Sequence, residues 1–67
     1  EMATFEYRDV RVTVEAGRTI AETLPELREK FQAKGITLPT KVVVRTGGYS
    51  CWDTDRIDDD LFVITYS

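Results

Sequence analysis

Histidine is absent from this chain. That removes the commonest general base and the commonest neutral metal ligand. Cysteine occurs once, at Cys51, so no internal disulfide and no Cys-x-x-Cys pair is available for metal or redox work. Small secreted domains usually carry several bridges. No apolar run approaches the roughly 18 residues of a membrane span, and the opening residues carry no signal-peptide pattern. The expectation is a cytoplasmic protein with no membrane partner. Lys and Arg number 9 against 12 Asp and Glu, spread from Arg8 to Arg56 without a cluster. Binding to a nucleic-acid backbone, which needs a basic stripe, is therefore not expected. No Ser-His-Asp set, phosphate loop or paired cysteines occur, so the chain is expected to be no enzyme and to hold no cofactor or metal.

The 67 residues make one domain with a thin core, since a chain this size buries only about 60% of its unfolded surface. The apolar fraction of 42% is that of a globular domain, too high for a disordered acidic tail. Glu1 precedes Met2, which makes Met2 the expected start and residues 2–67 the expected domain.

One amphipathic stretch organises the rest. Ile20, Leu24, Leu27 and Phe31 fall at spacings of four, three and four, the stripe of a helix over Thr19–Lys34 with one buried face. Thr19 and Glu22 form a Thr-x-x-Glu capping box, and Gly35 stands where a left-handed residue ends a helix. Pro25 lacks the N–H that would bond back to Ala21. A second box, Thr23 with Glu26, offers a later start, so the expectation is a loosened first turn with regular helix from about Leu24.

The flanks alternate as strands do. Phe5 and Tyr7 share one parity, and Val10, Val12 and Val14 the other, which predicts strands at Thr4–Tyr7 and Val10–Glu15 around a tight Arg8-Asp9 turn. Ile36 and Leu38 are expected to plug the bottom of the core. Lys41–Arg45 is a β-branched strand, Thr46-Gly47-Gly48 a turn, Tyr49–Trp52 a short strand and Leu61–Tyr66 the last strand. An α+β fold follows, with one helix packed on a four- to five-stranded sheet.

Between the last two strands lies an acidic loop, Asp53–Asp60. It fails the calcium-loop pattern, because Ile57 stands at a ligand position and no glycine or closing Glu follows. Solvated Asp side chains capping turn amides account for it. Cys51 has no histidine to activate it and is expected to be structural. Tyr49 and Trp52 either cover an end of the core or stand exposed as binding anchors.

The outer face of the sheet is the most suggestive surface. If Val42, Val44, Phe62 and Ile64 face the helix, alternation turns Val43, Arg45, Leu61 and Val63 outward. A one-helix domain has nothing of its own to cover them, and such a patch marks a partner site. The candidate contact residues are thus Val43, Arg45, Leu61 and Val63, with Tyr49 or Trp52 at the edge.

The order of elements at this length is the β-grasp, or ubiquitin-like, arrangement. More narrowly, the chain resembles the small sulfur carriers of thiamine and molybdopterin synthesis, the ThiS/MoaD group. Ala16-Gly17-Arg18-Thr19-Ile20 is similar to that group's lead into its helix, and Ile57-Asp58-Asp59-Asp60 before Phe62 and Ile64 is similar to its closing stretch, one residue shorter and with Asp59 where Gly is usual. The resemblance implies a mixed sheet with its first and last strands parallel at the centre. It also implies a C-terminal Gly-Gly as the reactive end, whereas the sequence closes on Ile64-Thr65-Tyr66-Ser67. The functional expectation is therefore a non-enzymatic protein-binding module, an adaptor or inhibitor, whose partner is another protein or a second copy of itself. The alternatives are a sulfur carrier or modifier whose tail lies beyond Ser67, and an acidic mimic of nucleic acid displaying Asp53, Asp55 and Asp58–Asp60.

Overall fold

A computed structural model describes residues 1–66. Its elements are β1 (Met2–Tyr7), β2 (Val10–Glu15), α1 (Ile20–Ala33), β3 (Val42–Thr46), β4 (Tyr49–Ser50) and β5 (Leu61–Tyr66). The fold is α+β, with α1 packed on one face of a five-stranded mixed sheet ordered β2-β1-β5-β3-β4. β1 and β5 run parallel, with Phe5 opposite Phe62; β1–β2, β5–β3 and β3–β4 pair antiparallel. This arrangement is compatible with a β-grasp. Among the described residues, no helix is long and apolar enough to cross a membrane.

The local chemistry explains the elements. Both hairpins close through two residues at positive φ, the geometry that matches the twist of paired strands. Gly47 and Gly48 adopt it without a Cβ, at φ 57° and 83°. In the first hairpin Arg8 and Asp9 are held there instead, at φ 50° and 63°, against the left-handed penalty on ordinary residues. The Arg8 guanidinium lies 5.3 Å from the centre of the Tyr7 ring, a cation–π contact that offsets part of that cost.

α1 starts earlier than its proline predicts. Thr19 is the N-cap: its hydroxyl accepts from the Glu22 N–H at 3.2 Å, and the Glu22 carboxylate accepts from the Thr19 N–H at 2.9 Å. The expected start near Leu24 is corrected to Ile20, and the Thr23–Glu26 box is not used. Thr23 is instead fully buried and donates its hydroxyl to the Thr19 carbonyl at 2.8 Å. Pro25 is tolerated because it and Ala21 both lie on the exposed side, where water serves the carbonyl that loses its partner. The helix closes as its Gly35 predicts: the Gly35 N–H reaches Gln32 O and the Ile36 N–H reaches Phe31 O, each at 2.9 Å, with Gly35 at φ 80°.

Ile20, Leu27 and Phe31 of α1 meet Ala3, Phe5, Tyr7, Val12, Val14, Val44, Phe62 and Ile64 of the sheet in one core. Phe5 stacks on Phe62 at 5.0 Å, and Tyr7 meets Phe31 edge-on at 6.4 Å. Leu38 is buried, with Ile36 packed against the core as expected. Leu24 of the predicted stripe is only half-buried. Ile57, placed by sequence in a polar loop, is a core residue at 2% exposure.

Two outcomes check this account. Leu27→Ala should cost about 2–5 kcal/mol in denaturant unfolding, because Leu27 is fully buried in a thin core; a loss below about 1 kcal/mol would contradict its place there. The double change Arg8→Asn and Asp9→Gly should raise the melting temperature, by about 4–8 °C if it recovers about 1 kcal/mol. A lower melting temperature would mean that the Arg8–Tyr7 contact outweighs the backbone strain.

Candidate functional site

The candidate site is built on the sheet face turned away from α1. Register fixes its rows. Glu6 stands opposite both Arg11 and Val63, Val63 opposite Arg45, and Arg45 opposite Ser50, so one row crosses all five strands. Thr4 lies opposite Thr13 and Leu61 in a second row, and Val43 opposite Thr65 in a third. Leu61 is 40% exposed, and Val43 and Val63 are half-buried although no second layer covers them. Arg11 donates to Glu6 at 2.8 Å along the first row.

A shallow, open depression occupies the β3–β5 end of this face. It is lined by Arg45, Leu61, Val63 and Tyr49 together with Thr46, Gly47, Gly48 and Asp60. Four of the six candidate contact residues thus come together in it. Val43 shares the face but not the depression, and Trp52 is not among the lining residues. Gly47 and Gly48 line the hollow, and a Cβ at either would meet open space, with no atom within 4 Å. Sequence reasoning treated that pair only as a turn and Asp60 only as loop. The signal was present in a side-chain-free hairpin tip that the register sets beside Leu61.

Trp52 and the acidic loop serve another part of the molecule. The Trp52 N–H donates to the Asp55 carboxylate at 2.7 Å, and the Asp55 N–H to the Trp52 carbonyl at 3.0 Å. The loop then runs along the start of α1: Ala21 N–H bonds Asp53 O at 3.0 Å, Ile20 N–H bonds Asp55 O at 2.9 Å, and Ile57 N–H bonds Arg18 O at 2.9 Å. Arg56 donates to the Gly17 carbonyl at 2.9 Å. The Trp52 ring itself remains 76% exposed, and Tyr49 is 78% exposed, so neither covers the core. Strand β4 ends at Ser50 rather than at Trp52, because Trp52 turns into this loop.

Of the sheet's two edges, β2 is partly occupied. Lys30 Nζ donates to the Thr13 carbonyl and Arg18 to the Glu15 carbonyl, placing cations on a strand edge that would otherwise invite pairing.

Charge at these positions is modest. Asp60 titrates above its ordinary value because of the Asp58 charge first, then burial. Burial, reinforced by Asp55 and Asp58, raises the Cys51 thiol, which keeps it in its unreactive protonated form. Among the described residues, no group of three or more Cys, Asp or Glu side chains is placed to hold a metal ion.

No protein-family model matches the sequence, and no curated protein or solved structure matches it either.

The cap and ion-pair contacts of α1 give the stability a pH dependence. The Thr19 backbone N–H, then its hydroxyl, hold Glu22 below the ordinary carboxylate value, and Arg18 does the same for Glu26. A lowered folded-state value stabilises the fold above about pH 4.5, and that stabilisation is lost as pH falls through the lowered values. Asp60 acts with the opposite sign, relieving repulsion as it protonates. Glu22→Gln should therefore lower the melting temperature at pH 7 and shrink the drop between pH 7 and pH 3. An unchanged drop would show that the capping carboxylate does not contribute to this pH dependence.

Proposed function

We propose that this chain is a small non-enzymatic protein-binding module, an adaptor or inhibitor, built on a β-grasp scaffold, and that its partner meets the outer sheet face. One observation carries the reading: Val43, Leu61 and Val63 are apolar on the side of the sheet that α1 does not cover. A side chain on that face contributes nothing to the core, and an exposed apolar group next to an open depression fits a docking role better than a stabilising one. Arg45 and Tyr49, residue types frequent among binding hot spots, flank it. A typical contact of about 800 Å² per partner would span most of the face. The absence of histidine and the raised thiol of Cys51 support a role without catalysis.

The parallel β1–β5 pairing also supports the likeness to the ThiS/MoaD sulfur carriers. The carrier reading stands or falls on a Gly-Gly encoded within a few residues after Ser67.

The test is affinity capture from the source cell with wild type, Val63→Asp and Leu61→Asp, read by mass spectrometry. A specific partner captured by wild type should be lost with both variants, while helical circular dichroism and melting temperature stay nearly unchanged. Variants that fold and still capture the partner would place the contact elsewhere, and the exposed acidic loop would be the next surface to test. Unfolding of Val63→Asp together with Leu61→Asp would mean that this face is structural.

A further inference from the structure

Two charges beside the depression have no ion-pair partner among the described residues. Arg45 directs its guanidinium to uncharged oxygens, Nη1 to Ser50 Oγ at 2.8 Å and Nη2 to the Gly48 carbonyl. These bonds hold it as a wall of the hollow on the β3 side. Asp60 lines the same hollow at the foot of β5, crowded by Asp58 and Asp59. Among the described residues, neither Arg45 nor any of these three aspartates has an ion-pair partner. Leu61 and Val63 line the same hollow.

We propose that this face is self-complementary: two copies of the chain meet about a two-fold axis near Leu61 and Val63, each Arg45 against Asp60 of the second copy. The proposal rests on the reading of the outer sheet face as the contact surface and names an occupant for it. A two-fold axis sets residue i against residue j and j against i. A patch with an apolar centre, one unpaired cation on one side and unpaired anions on the other meets its own complement under that operation. A different protein would have to present the same pattern independently. The contact is small and partly polar, so the dimer is a weak one. Self-pairing covers the same Leu61 and Val63 that another protein would use, which makes the monomer–dimer balance a control on the availability of the face.

Sedimentation equilibrium of the full chain from about 10 µM to about 1 mM tests this in the range where small interfaces associate. Wild type should rise with concentration toward twice the 7.7 kDa protomer mass, less steeply at high salt. Arg45→Asp and Asp60→Arg should each weaken association about tenfold or more, because both contacts become repulsive. An equimolar mixture of the two should associate again, since Asp at 45 then faces Arg at 60 and the native Asp60 faces the native Arg45. Near-UV circular dichroism checks that both variants fold, and Arg45→Gln with Asp60→Asn serve if either does not; each should associate more weakly than wild type. A wild type monomeric to about 1 mM overturns self-pairing, as does a dimer indifferent to charge reversal or neutralisation, or a mixture that stays monomeric. None of these results touches the wider reading, which is tested separately by whether Val63→Asp and Leu61→Asp fold and lose capture of another protein.

Discussion

The first turn of α1 depends on backbone from the far end of the chain. A helix leaves its first amides without internal partners, and here the sequence immediately before the helix serves only some of them. Thr19 takes the Glu22 amide, while the Ile20 and Ala21 amides bond to the carbonyls of Asp55 and Asp53. The loop that supplies those carbonyls is anchored in turn by Ile57 in the core and by its bonds to Arg18 and Gly17. Cap, loop and core are thus one arrangement. A stretch rich in aspartate is kept ordered because its main chain is used for helix capping, which leaves most of its carboxylates in water.

The same economy leaves the sheet two-faced. One helix covers one side, and all the large buried side chains of the strands turn toward it. On the other side, hydroxyl and charged residues prevail on β1 and β2, while Val43, Leu61 and Val63 of β3 and β5 stand beside Arg45 and Thr65. The asymmetry runs across the strands. It places Leu61 and Val63 beside the turn of Gly47 and Gly48, with Val43 farther along β3.

Much of the fold could be read from local pattern. The stripe through Leu27 and Phe31, the capping box at Thr19, the glycine at position 35 and the alternation of Val10, Val12 and Val14 each declare themselves within a few residues. What escaped depended on distant partners. The start of α1 was obscured by Pro25, whose cost is small only because Ala21 faces solvent, and whose neighbours are held by a loop thirty residues away along the chain. Thr23 resembles an alternative cap in sequence because its full burial is not a local property. Ile57 looked like an isolated apolar residue among aspartates for the same reason. Of the candidate site, the outward parity of Val43, Arg45, Leu61 and Val63 was legible from alternation. The hollow between them was not, since it needs the register of three strands and the geometry of one turn. The order of elements raises a β-grasp expectation, with which the sheet order is compatible.

The parallel pairing of β1 with β5 also has a temporal side. β1 lies next to β5, and every residue between them must exist before that pair can close. Closing so long a loop costs entropy before any contact rewards it. The β1–β2 hairpin can form early and α1 can pack on its inner face, but Phe5 lacks its stacking partner until Phe62 arrives. The sheet therefore closes only once β5 has been made, and until then the edge of β1 that β5 fills is open to whatever chaperone or neighbouring chain it meets.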